Sequence, residues 1–373
     1  MRVLVFGGSF DPPHRGHSAL LNASVERIRP DRILIVPAYH APMKGKAPAP
    51  AKDRVELVKR GLLDKLPAKW RKVAKVDLTE VSSKRPVYTY ETLRRLEGEL
   101  HFVVGQDSAE NFHRWKKSAR LRRLASWWYG GRAGTKGRAP DHFRLVPGRF
   151  LDISSTELRS SLSLDQDCSE HLFPAVLSHI QSRRMYGLDR LALLRSSLSP
   201  FRYEHTLNVA TLAESLARRW GADPDKARTA GLLHDAGRRF APPVLAAYAR
   251  RRRLQVPERE HILRSDPMLL HAYASEDLAT TEFGVTDRET LDAIRRHTLG
   301  DARMTLLDKV LYVADACSAD RTHPGVVKTR ALAYADLDAA LRVCVAEKLR
   351  HALSREAWLH PLTISLWNSL ASL

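Results

Sequence analysis

His14 and His17 close the run Gly7-Gly8-Ser9-Phe10-Asp11-Pro12-Pro13-His14-Arg15-Gly16-His17, between an apolar stretch, Met1 to Phe6, and the helical-looking Ser18 to Ala23. Two imidazoles three residues apart at a helix start can face the same way and donate to one oxyanion. Gly7 and Gly8 let the backbone approach an anion, and the helix turns its N–H groups and positive dipole end toward it. The chemistry expected is phosphate binding, with donors placed where charge develops as a bond breaks. A second cradle lies in Ile153-Ser154-Ser155-Thr156-Glu157-Leu158-Arg159, where hydroxyls cap another helix and Arg159 stands one turn inside it.

A different chemistry is spelled by His205, the adjacent His234-Asp235, His271, His297 and Asp315, each in a helical or helix-flanking setting. One His-Asp pair says little, but six imidazole and carboxylate donors on packed helices suit a binuclear site with a bridging carboxylate. Fe or Mn accepts that mixture.

Elements that could position the first set are the apolar runs Met1–Phe6, Ile33–Val36, Leu100–Val104 and Phe143–Val146, alternating with helical stretches around Asp53–Leu66, Thr89–Glu97 and Ala119–Ala125. That alternation predicts a parallel α/β sheet, whose ligands bind beyond the carboxyl ends of the strands. From Asp189 onward the period-2 signal fades, and segments such as Thr206–Trp220, Arg288–His297 and Met304–Ala316 predict an all-α second domain. The boundary falls near Gly187, giving domains of residues 1–187 and 188–373, each long enough to bury its own core.

The net charge of +19 would attract polyphosphates and nucleic acid alike. A basic nucleic-acid scaffold is therefore a rival reading, which the intact motifs disfavour. Cys168, Cys317 and Cys344 lack metal-ligand spacing and read as reduced thiols. There is no membrane-length apolar run and no secretory signal pattern, so a cytoplasmic protein without a membrane partner is expected.

The first 187 residues resemble bacterial nicotinate-nucleotide adenylyltransferases of the HxGH nucleotidyltransferase superfamily, with a Rossmann-like sheet. Besides the two cradles, the family pattern is met by Pro37–Lys44, Tyr88–Leu93, Val104-Gly105-Gln106-Asp107 and Phe112-His113-Arg114-Trp115, while Ala41-Pro42-Met43-Lys44 departs from the usual Pro-Pro-His-Lys. The resemblance implies adenylyl transfer from ATP, with Mg²⁺, to nicotinate mononucleotide. His14 and His17 would stabilise the transition state with charge added by Lys44, and Ser154, Ser155, Thr156 and Arg159 would hold the β and γ phosphates. Gly105 and Asp107 would lie at the adenosine, Thr89 and Trp115 at the nicotinate, and Arg132 fits the family's Arg-x-Gly. Nicotinamide mononucleotide stays open as an acceptor.

Residues from about 189 to 350 resemble HD-superfamily symmetrical diadenosine tetraphosphate hydrolases, through the six donors and through Ile294–Thr298, Leu306–Asp315, Arg321–Val326 and Asp336–Leu341. The segment Cys317-Ser318-Ala319-Asp320 departs from the family's Glu-Pro. By this resemblance His205, His234, Asp235 and Asp315 would bind one metal, and Asp235, His271 and His297 the other. Hydroxide attack at a central phosphorus would give two ADP, with Arg238 and Arg321 clamping phosphates. A different nucleotide substrate stays open here, as does assembly into a homo-oligomer.

Overall fold

The structure, a computed structural model, describes residues 1–39, 48–132 and 139–371. The chain divides into two compact units, Met1–Asp189 and Arg190–Leu373.

In the first unit six strands form one sheet: β1 (Arg2–Gly8), β2 (Arg32–Pro37), β3 (Ala74–Val76), β4 (Glu99–Gly105), β5 (Ser126–Arg132) and β6 (Phe143–Phe150). Their order is β3-β2-β1-β4-β5-β6, and every pairing is parallel. Side chains alternate across a strand, so β1 sends Leu4 and Phe6 into one core and Val3 and Val5 into another. Both faces are covered, which is why the central strands read as unbroken apolar runs. The chain crosses from β1 to β2 on one side and later returns to place β4 on the other. A crevice opens at that reversal, beyond Gly7–Gly8 and Gly105, where open α/β sheets take their ligands.

Two strands were not expected from the sequence. β3 is three residues long, and β5 runs through Trp127-Trp128-Tyr129-Gly130-Gly131, where Trp127 is buried among Phe102, Phe112 and Phe143. The expected helix over Asp53–Leu66 is the helix Ala51–Gly61 followed by a 3₁₀ turn, Leu63–Lys65.

Among its described residues the second unit contains helices and no strand. Its centre is the helix Leu306–Cys317, packed against Pro200–Trp220, Pro224–Leu233, Arg288–Arg296 and Leu337–Ser354. Two glycines allow close backbone approaches near the donor cluster. A Cβ at Gly231 would stand 2.5 Å from the Ala210 backbone, and one at Gly237 would stand 2.5 Å from the His271 carbonyl oxygen. These contacts draw the segment carrying His234 and Asp235 against the helices bearing His205 and His271. Among the described residues, no helix is long and apolar enough to cross a membrane.

Candidate functional site

The first site begins at a helix cap. His14 is the N-cap of the helix Arg15–Ile28: its Nδ1 accepts the His17 amide at 3.4 Å, while His17 Nδ1 accepts the His14 amide at 3.3 Å. The two histidines thus form a reciprocal capping box. A neutral imidazole that accepts at Nδ1 carries its proton on Nε2, so each ring is set to donate from its far nitrogen. The rings lie 3.7 Å apart, and Phe10 packs edge-on against His17 at 5.3 Å. Phe10 itself is buried, with its backbone in the left-handed region at φ 49°.

A second capping box forms where Ser154 caps the helix Ser155–Ser163: its Oγ accepts the Glu157 amide at 3.1 Å, and Glu157 accepts the Ser154 amide at 2.7 Å. This helix is tied to the glycine run by the Ser155 hydroxyl, which donates to the Pro12 carbonyl at 2.8 Å. Arg159 donates to the Asp11 carbonyl at 2.8 Å and to Thr156 Oγ1 at 3.2 Å. Gly7, Gly8, Ser9, His14, His17, Gly105, Asp107, Ser154, Ser155, Thr156 and Arg159 all line one cavity of about 620 Å³. An adjoining cavity of about 590 Å³ shares Gly7, Gly8, Ser9 and Asp107 with the first and adds Thr89, Trp115 and the buried Glu80. Trp115 is half-buried and packs edge-to-face on Phe102 and Trp127. Lys44 lies outside the described residues, and Arg132 is placed as the last residue of β5.

The glycines have a second reason besides the one expected. A Cβ on Gly7 would meet the Phe102 ring at 2.9 Å, and one on Gly8 would meet the Phe10 ring at 2.9 Å. Packing beneath the loop therefore excludes side chains there, whatever lies above. At Gly105 a Cβ would meet nothing within 4 Å.

Sequence reasoning missed two supports of this site. Arg54, 1% exposed, donates to the carbonyls of Ser9 (2.9 Å), Ala38 (2.6 Å), Tyr39 (2.9 Å) and Ala49 (3.3 Å), stapling the β1 and β2 loops together. Tyr186 donates to Asp11 Oδ1 at 2.7 Å, and burial pushes the Asp11 carboxyl above its ordinary range. Neither showed in the pattern, because a lone arginine on an amphipathic helix and a tyrosine near a domain end look ordinary.

In the second unit the six expected donors come together. His205, His234 and Asp235; His234, His297 and Asp315; and Asp235, His271 and His297 each form a group whose ligand atoms lie within 4.8 Å of one another. The carbonyls of Gly231, Met268 and Ile294 lie 2.7, 2.6 and 2.6 Å from Nδ1 of His234, His271 and His297. A carbonyl can only accept, so each Nδ1 donates and each Nε2 presents a lone pair to the centre. His205 differs, with Nδ1 at 2.8 Å from Asp320 Oδ2 and Nε2 at 3.1 Å from Asp315 Oδ1. Asp235 faces both sides: Oδ1 is 3.3 Å from His271 Nε2, and Oδ2 is 3.8 Å from His234 Nε2.

Burial pulls the His234 and His297 imidazoles toward neutrality, reinforced at His297 by the His234 and His271 rings. Burial works against the charge of Asp235 and Asp315, yet the facing histidines hold both carboxyls well below their ordinary range. Neutral imidazoles and ionised carboxylates are the forms that bind a cation. Two further observations fit a metal. His234 Nε2 is buried with no hydrogen-bond partner among the described residues, and the Nε2 atoms of His271 and His297 oppose each other at 3.1 Å. The donor set thus suits a divalent cation of the borderline class.

The two expected phosphate clamps are engaged with carboxylates of the donor cluster. Arg321 donates to Asp315 Oδ1 at 2.7 Å, and Arg238 Nε lies 3.5 Å from Asp235 Oδ1. Arg202, not singled out from the sequence, donates to Asp235 Oδ2 at 3.0 Å.

A parallel-sheet nucleotidyltransferase domain and a helical HD-type metal centre thus share one chain. Family models agree: one described as cytidylyltransferase-like matches residues 5–161, and one described as HD domain matches residues 202–320. The symmetrical bis(5'-nucleosyl)-tetraphosphatase of Bacillus subtilis is 37% identical over 184 residues, 49% of this chain and 97% of that protein. A probable nicotinate-nucleotide adenylyltransferase of Chlorobium phaeobacteroides is 34% identical over 200 residues, 50% of this chain and all of that protein. The fused arrangement recurs in a probable nicotinate-nucleotide adenylyltransferase/Ap4A hydrolase of Mycoplasma genitalium, 24% identical over 329 residues, 86% of this chain and 88% of that protein. The chain belongs to the nicotinate-nucleotide adenylyltransferase family through its first half and to the symmetrical bis(5'-nucleosyl)-tetraphosphatase family through its second.

Proposed function

We propose that the chain is a bifunctional enzyme that adenylylates nicotinate mononucleotide with ATP and cleaves diadenosine tetraphosphate into two ADP. The observation that carries this reading is that both donor clusters are assembled within the same chain, the reciprocal His14–His17 cap in one unit and the six-donor centre in the other.

In the first reaction a phosphate oxygen of the mononucleotide attacks the α-phosphorus of ATP, and the bond to pyrophosphate breaks. No enzyme nucleophile is needed, so positioning and charge neutralisation carry the rate. The Nε2–H groups of His14 and His17 donate to the phosphate oxygens that gain charge, and Arg159 with the Ser154–Thr156 helix start holds the departing β and γ phosphates. Mg²⁺ bound with ATP would supply further neutralisation of phosphate charge beside these donors. Thr89 and Trp115 receive the pyridine ring in the adjoining cavity. Phe10 acts beneath His17 as its packing support.

In the second unit His205, His234, Asp235 and Asp315 would hold one cation and Asp235, His271 and His297 another, with Fe or Mn suited to the mixed donors. Such cations polarise a phosphoryl group and lower the pKa of water. The protein fixes the histidine tautomers through the Nδ1 bonds, while Arg202, Arg238 and Arg321 hold the carboxylates and offset phosphate charge at the rim.

The test is a pair of variants in the full chain. His17→Ala should abolish synthesis of the dinucleotide with hydrolysis intact, and Asp235→Ala should do the reverse. Loss of both activities in either variant, or of neither, refutes the assignment.

A further inference from the structure

The structure assigns Asp320 as the positioning residue for His205, a carboxylate from a distant turn that fixes the ligand's tautomer and strengthens it as a metal donor. The inference rests on the metal-centre reading above.

Its origin is a difference among the four ligand histidines. His234 and His297 follow the last turns of the helices Pro224–Leu233 and Arg288–Arg296, and His271 follows the 3₁₀ turn Pro267–Leu270. At a helix end the carbonyl three residues back is not fully used by the backbone ladder, so it can take the Nδ1 proton. All three rings use that local acceptor. His205 does not: it is the sixth residue of the 21-residue helix Pro200–Trp220, and its Nδ1 turns to a carboxylate outside that helix. Its ring takes its acceptor from elsewhere in the fold.

Asp320 meets that need from a turn built to present it. Its Oδ2 stands 2.8 Å from His205 Nδ1, and its Oδ1 accepts the Ser318 hydroxyl at 2.7 Å. The turn is clamped by Arg330, which donates to the Cys317 and Ser318 carbonyls at 2.6 Å each. The carboxylate is 16% exposed and the His205 side chain 2%, so the pair is shielded from water. An ionised acceptor on Nδ1 leaves Nε2 as the ligand atom and raises its basicity, more than a neutral carbonyl would. This is the segment, Cys317 to Asp320, that departs from the Glu-Pro pattern of the hydrolases it resembles. The carboxylate at position 320 is oriented by the serine at 318.

The prediction concerns metal affinity, and the probe is Mn²⁺ titrated into metal-free full-length protein, followed by calorimetry and by electron paramagnetic resonance. Asp320→Asn and Asp320→Ala should each weaken the His205-containing site, by about 10- to 100-fold for Ala. The site built on His271 and His297, which shares only Asp235 with it, should lose less affinity than the His205-containing site. In a His205→Ala background, Asp320→Ala should cost nothing more. Unaltered helical circular dichroism and unaltered nucleotidyl transfer exclude misfolding as the cause, and Asp320→Asn, equal in size, covers the event that Asp320→Ala fails to fold. Wild-type affinity at both sites in the Asp320 variants, or an added loss in the His205→Ala background, overturns the inference. No Mn²⁺ bound by the wild type would overturn the metal-centre reading itself, and this inference with it.

Discussion

Replacing His14 tests two properties at once, because the ring proposed to donate to phosphate also caps the helix Arg15–Ile28. His14→Ala and His14→Asn should both lower the rate of adenylyl transfer by about 100-fold or more, the usual cost of removing an oxyanion donor. They should part in stability. Asn is a good N-cap and Ala a poor one, so the alanine variant should be less stable by about 1 kcal/mol in urea unfolding. Glu80 offers a second residue-level test. It is buried, Thr92 donates to it, and burial pushes its carboxyl up to about 7 from an ordinary 4.5. Between those values the folded chain keeps a proton that the unfolded chain has released, so stability falls as pH rises through the window. The full difference corresponds to about 3 kcal/mol. Glu80→Gln removes the titration, so its stability relative to wild type should climb from pH 4.5 to pH 8, as measured by denaturant unfolding at each pH. A flat difference would show that Glu80 does not titrate there.

At the scale of elements, the helix Ala51–Gly61 matters through Arg54, whose guanidinium joins the loops after β1 and β2. Arg54→Met should keep the helix but strand several buried carbonyls, costing about 2–4 kcal/mol. It should raise the KM for ATP more than it lowers kcat, since the loop would lose its set position before any donor is lost. Equal KM in variant and wild type would argue against that role. The elements themselves were unequally legible. β1, β2 and β4 carry apolar runs that announce strands buried on both faces, β6 at the sheet edge shows a shorter one at Phe143–Val146, and the helices Pro200–Trp220 and Leu306–Cys317 carry a clear period. β3 is too short to leave a pattern, and β5 hides behind aromatic and glycine residues whose packing is set by Phe102, Phe112 and Leu20. The donors were readable because imidazole and carboxylate chemistry restricts residue type and order. Arg54, Arg202, Tyr186 and Asp320 were not, because a charged or phenolic side chain looks the same in sequence whether it faces solvent or a buried partner.

For the whole molecule, the two proposed activities call for different metals. Stripping the protein with a strong chelator, then removing the chelator and adding Mg²⁺ alone, should restore adenylyl transfer while phosphohydrolysis stays off until Fe²⁺ or Mn²⁺ is supplied. The helical unit should also unfold at lower temperature when stripped, since a cation held at 100 times its Kd contributes about 2.7 kcal/mol. Thermal scans with and without Mn²⁺ should therefore move one transition and leave the other in place. Movement of both, or of neither, would contradict independent metal dependence.

The phenol of Tyr186 gripping Asp11 has a consequence for where an autonomous transferase may end. Every strand of the sheet and both anion cradles are complete by Ser163, so a fragment trimmed at Ser182 would contain all the groups assigned to ATP. It would nevertheless lack the anchor beneath Asp11, the residue whose carbonyl receives Arg159. Trimming at Ser182 should therefore yield a weaker nucleotide binder than trimming at Asp189, although the seven residues between supply no group assigned to ATP.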